Sequence, residues 1–230
     1  MRDRLPVLAH ERFVQRAEEF AGLDREALFT EIWRSNLWGA DTSRSGLGSE
    51  DRATKPLSNE LPILLERLGV RTLLDIPCGD FGWMSRTPVK LDWYLGADIV
   101  TELVSFNQSS FGSADGRVRF EKLDLLIDAL PRADAVLCRD CFVHLSYSNI
   151  AAAFANLRSS RSRLIIATTF PDCVQNDDAA DGDWRLLNLE KPPFCLPNPI
   201  AMLNEKCEEA GGGYSDKSLG VWKIEDLRIR

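Results

Sequence analysis

The pattern of hydrophobic and polar positions divides the chain near residue 60. Before that point, Phe13, Ala17 and Phe20 recur at helical spacing, and a second helical pattern follows Asp24, a residue type that caps helices. We therefore predict an N-terminal helical extension over residues 1–59.

The extension ends in a long polar stretch rich in Gly, Ser, Asp and Arg, NLWGADTSRSGLGSEDR. Loops beyond about 12 residues without secondary structure are usually functional or disordered. Trp33 and Trp38 lie beside this stretch, and large aromatic residues more often anchor a segment than leave it loose. We predict a lid or binding segment here, with a flexible connector as the alternative.

Beyond residue 60, short apolar runs alternate with amphipathic segments. Strands are predicted in RTLLDI, LDWYLGADI, RVRFEKLD, ADAVLC and SRLIIATTF. Helices are predicted in NELPILLERLG, from GWMSRT onward, in TELVSFNQSSF with Thr101 as its cap, and in SNIAAAFANLR. This alternation indicates an α/β fold with a doubly wound, mostly parallel seven-stranded sheet. The tail contains two strand-like pieces, which predict an antiparallel C-terminal hairpin.

Composition and charge narrow the class of protein. Charged residues make up 27% and hydrophobic ones 44%, and the net charge is −7 with no long Lys/Arg stripe. This balance fits a globular chain and disfavours nucleic acid as a partner, because a phosphate backbone needs basic contacts. No apolar run reaches signal-peptide or membrane-span length, so we expect a cytoplasmic protein that does not bind a membrane. We further expect a monomer or homodimer that acts on a small molecule.

Six cysteines are present, two of them in the spacing Cys138-x-x-Cys141. No second Cys or His pair completes a zinc set, so we predict free thiols and no metal, with a metal site as the alternative.

Acidic residues follow three successive predicted strands. Asp75 ends the first, Asp98 the second and Asp124 the third. In open parallel sheets, ligands bind beyond the carboxyl ends of the strands. Asp98 is placed to accept both ribose hydroxyls of a nucleotide-like ligand, and Asp124 could accept from an adenine amine. The alternative is that these acids only end strands and cap helices.

The first strand leads into the loop DIPCGDFG, which contains no full G-x-G-x-x-G. Gly79 lets the backbone approach a ligand at positive φ, whereas Pro77 has no N–H to donate. A dinucleotide pyrophosphate needs such donors, so the loop disfavours a dinucleotide.

Together these stretches resemble the class I S-adenosylmethionine-dependent methyltransferases over residues 70–170. The family's motifs are matched by LLDIPCGDFGWM, ADIV, KLDLL and DAVLCRDCFVHLS, although Pro77 and Phe81 stand where the first and third motif glycines usually lie. A bacterial subgroup with a DIPCGDF-type first motif is further resembled by SRSGLGS, TTFPD, NLEKPPF and GGGYSDKSLG.

The resemblance implies a Rossmann-like methyltransferase domain over residues 60–230 that binds S-adenosyl-L-methionine. The residues implied to surround the cofactor are Asp75, Pro77, Cys78, Gly79, Phe81, Trp83, Asp98, Ile99, Asp124, Leu125 and Arg139. Those implied on the substrate side are Arg44, Ser45, Thr169, Asn188 and Glu190.

His144 follows the fourth strand and is the first candidate for a catalytic base, since an imidazole titrates near neutral pH. Alternatively it starts a helix with a local hydrogen bond or only lines the cofactor pocket. Asp140 could bind the sulfonium end, orient His144 or be the base itself. Arg139 could pair with Asp140 or hold an anionic substrate.

The function that we expect is O-methylation of a small sugar-like or secondary-metabolite acceptor. The alternatives are methylation of a protein side chain or terminus, and a non-catalytic module that only binds the cofactor.

Overall fold

The computed structural model describes Arg4 and residues 6–228. Their centre is a seven-stranded sheet in the order β3-β2-β1-β4-β5-β7-β6. The strands are β1 (Thr72–Asp75), β2 (Trp93–Asp98), β3 (Val118–Lys122), β4 (Ala135–Cys138), β5 (Leu164–Thr169), β6 (Ala201–Asn204) and β7 (Ser218–Lys223). The five strands from β1 to β5 run parallel, and β7 pairs antiparallel with both β5 and β6. The predicted fold class is confirmed, including the antiparallel C-terminal pair.

Helices cover both faces of this sheet. They are α1 (Leu8–Gln15), α2 (Ala17–Phe20), α3 (Arg25–Arg34), α4 (Asp51–Arg67), α5 (Thr101–Phe111), α6 (Tyr147–Ser159) and the short, kinked α7 (Glu209–Gly212). Leu57 and Leu61 of α4 and Val104 of α5 pack on one face, while Ile150 and Phe154 of α6 pack on the other. No helix within the described ranges combines the length and apolar character needed to cross a bilayer.

The predicted cap of α3 is confirmed and that of α5 is wrong. Asp24 caps α3, since its side chain accepts a 2.8 Å hydrogen bond from the Ala27 N–H. Thr101 is not the cap of α5: Val100 occupies that position, and the Thr101 hydroxyl instead donates to Glu26. Helix α4 ends before Gly69, which has a φ of +64°. It begins at Asp51, so it runs through position 60, where the sequence places the boundary between extension and domain.

The predicted helix after β1 is wrong. Only a single 3-10 turn, Met84–Arg86, follows the first loop. Pro88 comes two residues later, and a proline both lacks the N–H that a continuing helix needs and disfavours helical dihedrals at the residue before it. The connection from β1 to β2 is therefore short and mostly irregular.

Candidate functional site

A cleft lies at the carboxyl ends of β1, β2 and β3, where the three predicted acids meet. Asp75, Asp98 and Asp124 all line it, although each is more than nine-tenths buried. The cleft encloses about 1090 Å³ of empty space, its open mouth included. This is the edge of a parallel sheet at which ligands are expected.

The first loop (residues 75–83) is held to the end of β2 by Asp98. One oxygen of the Asp98 carboxylate accepts a 3.2 Å hydrogen bond from the Gly79 N–H, and the other accepts one of 3.1 Å from the Val100 N–H. Gly79 has a φ of +56°, and a Cβ at this position would lie 2.5 Å from the Ser45 hydroxyl oxygen. A glycine is therefore favoured both by the dihedral angle and by the approach of Ser45.

We expect Gly79→Ala to destabilise the protein more than Gly116→Ala. Gly116 also has a positive φ, +73°, but nothing lies within 4 Å of its Cβ position. Both variants bear the left-handed strain of roughly 1–2 kcal/mol, whereas only Gly79→Ala adds the contact with Ser45. Urea unfolding of the two variants measures the difference in their free energies of unfolding. Equal losses would show that the Ser45 side chain moves aside at no cost.

Burial raises the pKa of two carboxyl groups in the cleft. The pKa of Asp75 is raised to about 7, because desolvation outweighs the 2.6 Å hydrogen bond that the Tyr94 hydroxyl donates to it. Desolvation likewise raises the pKa of Asp98 to about 6, against the backbone hydrogen bonds that favour its charged form. Both groups thus titrate close to neutral pH.

Asp124 is engaged by the N-terminal helices. One of its carboxylate oxygens lies 2.5 Å from an Arg25 guanidinium nitrogen, and the other accepts a 2.9 Å hydrogen bond from the Leu126 N–H. The Asp124 carboxylate, which is predicted to accept from an adenine amine, is thus already paired with Arg25. The sequence does not predict Arg25 as a site residue. Helix α3 covers this end of the cleft with Arg25, Phe29 and Trp33.

The lid, defined as residues 36–50, closes the other side of the cleft. The Asp80 N–H donates to the Ser45 hydroxyl over 2.9 Å, and the Arg139 guanidinium donates to the Gly48 carbonyl over 2.7 Å. The Trp38 indole stacks on the His144 imidazole with ring centroids 4.7 Å apart. These contacts tie the polar stretch to the first loop and to the residues after β4.

His144 is buried and has a defined tautomer. Its Nδ1 lies 2.8 Å from the Asp183 carbonyl oxygen, which can only accept, so Nδ1 carries the proton and Nε2 keeps its lone pair. Burial lowers the pKa of His144 to about 4. At neutral pH the side chain is therefore an uncharged imidazole with a free lone pair on Nε2, and the lowered pKa makes it a weaker base than an exposed imidazole.

Asp140 belongs to a buried network of charges. Its carboxylate lies 2.6 Å from the Lys217 ammonium and 3.4 Å from the Arg139 guanidinium. Burial acts to raise the pKa of Asp140, but the charges of Lys217 and Arg139 outweigh it and lower that pKa below its usual value. A carboxylate held ionised in this way accepts a proton poorly. Of the roles left open for Asp140, the network favours binding the sulfonium end or orienting His144 over acting as the base.

A second cavity, the side pocket, adjoins the cleft behind His144. Four residues line both spaces: Trp38, Ser45, Asp140 and His144. The side pocket holds about 560 Å³ of empty space, its mouth included. Its remaining walls come from the start of α1, the lid, the segment after β5 and the C-terminal segment before β7.

Most of the predicted site residues lie together. Those that line the cleft are Asp75, Pro77, Cys78, Gly79, Trp83, Asp98, Ile99, Asp124, Leu125, Arg139, Asp140, His144, Arg44 and Ser45. Arg139 is less available than predicted, because its guanidinium pairs with Glu205 at 2.7 Å and lies over the Trp83 ring.

Four predicted site residues lie elsewhere. Phe81 packs against the rings of Tyr94, Phe111 and Phe120 beneath the first loop. Thr169 and Asn188 are buried and use their polar atoms on the loop after β5, where the Thr169 hydroxyl accepts from the Leu189 N–H. The Asn188 amide donates to two carbonyls of the same loop and accepts from the Glu190 N–H. Thr169, Asn188 and Glu190 therefore build the loop instead of lining the cleft or the side pocket.

The sequence does not predict several further residues of the site. Lys217, Glu205 and Glu209 come from the C-terminal third, and Trp184 follows the acidic stretch after β5. Their signal in the sequence is weak, since charged or aromatic residues in a loop are usually only solvated or packed. The one indication in the sequence is the run GGGYSDKSLG, which contains Lys217 and belongs to the stretches that resemble the bacterial subgroup.

The six cysteines are free thiols. No group of three or more His, Cys, Asp or Glu side chains with metal-binding geometry occurs within Arg4 and residues 6–228. The pair Cys138 and Cys141 is buried beside the cleft without further metal ligands in that part of the chain.

Comparison with known proteins gives structural likeness only. No protein-family profile and no curated protein matches the chain. The 1,6-didemethyltoxoflavin-N1-methyltransferase of Burkholderia thailandensis, solved with S-adenosylhomocysteine, superposes with a TM-score of 0.56 at 16% identity over 88% of this chain and 92% of that chain. The methyltransferase domain of the bacterial protein CtHen1 gives 0.54 at 13% identity over 74% and 99%. The PH0226 protein of Pyrococcus horikoshii gives 0.52 at 16% identity over 79% and 93%.

At such identities the likeness establishes the fold, which is that of the class I methyltransferases. The resemblance to a bacterial subgroup with a DIPCGDF-type motif stays a prediction.

Proposed function

We propose that the protein is an S-adenosylmethionine-dependent methyltransferase that methylates an oxygen atom of a small molecule. The observation that carries this proposal is the junction of two cavities at His144. A ligand in the cleft and a ligand in the side pocket would meet beside an uncharged imidazole and an ionised carboxylate. Holding two reactants at near-attack distance supplies much of the rate of a group transfer.

The residues of the cleft fit the cofactor. Asp98 lies at the end of β2 with a carboxylate that could accept both ribose hydroxyls, and Ile99 and Leu125 supply apolar walls. Trp38 Nε1 and Arg25 Nε are buried without a hydrogen-bond partner among Arg4 and residues 6–228, and both residues line the cleft. Buried donors without partners are rare, so their presence here supports a polar ligand.

When bound, the cofactor would supply an electrophilic methyl group on a sulfonium. The chain would hold the acceptor in the side pocket and take up the proton that a hydroxyl loses. His144 Nε2 is suited to that task because Nδ1 is committed to the Asp183 carbonyl. Asp140, kept ionised by Lys217, would stabilise the imidazolium that forms.

The enclosure of the site supports a small acceptor. The lid and α3 cover the cleft, and the start of α1 contributes to the side pocket. We propose that residues 6–59 serve as the cover of a methyltransferase domain that begins within α4. A protein substrate would have to enter past these elements.

Transfer of a labelled methyl group tests the function. The purified protein is incubated with methyl-labelled S-adenosylmethionine and, separately, a metabolite extract or a protein extract. We expect label in the metabolite fraction, in a product stable to mild base as an ether is. Label in protein would favour the protein-methylating alternative, and cofactor binding without transfer to either fraction would favour the non-catalytic module.

The affinity for S-adenosylhomocysteine should fall as pH falls below about 6. The pKa of Asp98 is raised to about 6 in the free protein, and accepting two hydroxyls favours its ionised form. Below that pH, binding must first release a proton, so the affinity drops by up to about tenfold per pH unit. Calorimetry between pH 5 and 8 measures this dependence. Asp75→Asn removes the other carboxyl of raised pKa and should leave the component near pH 6 in place; a flat profile would contradict the role of Asp98.

A further inference from the structure

The side pocket has a largely aromatic wall. The rings of Phe170, Trp184 and Tyr214 form one cluster with centroids 5.2–6.2 Å apart. Trp38, on the lid, adds a fourth ring beside His144. Such walls suit the flat body of a ring-containing molecule, and the faces of the rings also attract cations.

The buried charges beneath this wall balance in pairs. Arg139 lies 2.7 Å from Glu205, and Lys217 lies 2.6 Å from Asp140. Lys217 also approaches Glu205 at 3.5 Å, so the four groups form one closed network of two cations and two anions. Each charge has a partner, and the network as a whole is neutral.

Glu209 adds a negative charge to the side pocket beyond those of this network. It is half-buried, lines the side pocket and receives no hydrogen bond or ion pair to its carboxylate from Arg4 or residues 6–228. With the network neutral, Glu209 leaves the pocket with one unbalanced negative charge. The charge of Lys217 already acts on this carboxylate. A ligand that brings a cation or strong hydrogen-bond donors into direct contact would stabilise it further.

We propose that the acceptor is a ring-containing small molecule with a protonated amine, and that the Glu209 carboxylate binds that amine while the rings pack on the body of the molecule. The inference rests on the proposed function, since it assigns the acceptor of the same site. The hydroxyl to be methylated would then point to His144, at the end of the pocket shared with the cleft. An anionic acceptor is disfavoured, because it would face the unbalanced charge of Glu209.

Three probes of matched shape test the charge preference. Tyramine, 4-ethylphenol and 3-(4-hydroxyphenyl)propionate share a phenol and differ mainly in the charge at the end of the side chain, which is positive, absent and negative. Their affinities are measured by quenching of tryptophan fluorescence, with and without saturating S-adenosylhomocysteine. We expect tyramine to bind about tenfold more tightly than 4-ethylphenol, and the propionate to bind most weakly.

Glu209→Gln should remove the preference for tyramine over 4-ethylphenol. Glu208→Gln is the matched control, because Glu208 is the neighbouring residue but is exposed and pairs with Arg52 outside the pocket. The proposal would be overturned if the three probes bound equally, if the propionate bound more tightly, or if tyramine did not bind at millimolar concentration. A preference that survives Glu209→Gln would overturn it as well. Affinity for S-adenosylhomocysteine should be the same in all these proteins, so its loss would count against the proposed function instead.

Discussion

Replacing His144 with glutamine is expected to lower the turnover number by about 10²–10⁴-fold, which is the usual contribution of a positioned general base. Affinity for S-adenosylhomocysteine should be unchanged, because the imidazole faces the junction with the side pocket, whereas most of the predicted cofactor contacts lie on the first loop and just beyond β2 and β3. Single-turnover transfer from labelled S-adenosylmethionine measures the rate, and calorimetry measures the affinity.

His10→Gln is the control for this substitution. His10 is the only other histidine, and it contacts the side chain of Asp183, whereas His144 contacts the backbone carbonyl of the same residue. We expect His10→Gln to keep both rate and affinity. If the His144 variant transferred methyl within threefold of the native rate, proton removal by His144 would be ruled out, and the acceptor would be one that needs no base.

Asp98→Ala has the second large effect: we expect an affinity for S-adenosylhomocysteine that is at least about 100-fold weaker. The substitution removes an acceptor for two ribose hydroxyls, and hydrogen bonds to a charged group each contribute roughly 1.5–3 kcal/mol. It also frees the N–H groups of Gly79 and Val100, which hold the first loop to β2. The loss should therefore include a less ordered loop.

Asp115→Ala serves as the comparison, because Asp115 is an exposed turn aspartate that bonds locally to Ser113. We expect its affinity to equal that of the native protein. To separate binding from folding, urea unfolding of both variants is compared without ligand. An Asp98→Ala protein that is folded and still binds within tenfold of native would show that the ribose hydroxyls are held elsewhere.

The sheet could be predicted from the sequence because its signals are local. Four of the first five strands are short, mostly apolar runs, and β3 instead alternates apolar and charged residues; all five lie where the sequence predicts strands. The convergence of Asp75, Asp98 and Asp124 follows from the same pattern, since the ends of parallel strands meet at one edge. A local pattern thus places these three acids without knowledge of any contact.

The contacts that the sequence does not reveal depend on distant parts of the chain. Lys217 reaches Asp140 across 77 positions, and Trp38 meets His144 only because the lid folds back over β4. Thr169 and Asn188 are predicted on the substrate side, yet their side chains make hydrogen bonds within the loop after β5. A polar residue predicted near the ligand-binding edge of the sheet can therefore be assigned to the site only when its hydrogen-bond partners are known.

The central claim is that the cleft beyond β1, β2 and β3 binds the S-adenosyl nucleoside. The most direct measurement is isothermal titration calorimetry of the native protein with S-adenosylhomocysteine at pH 7.5. We predict saturable heat with a micromolar dissociation constant and a single ligand per chain. The titration is run at two temperatures, because a binding enthalpy that happens to be zero at one temperature will not be zero at the other. If no binding heat is seen at either temperature, the claim is contradicted.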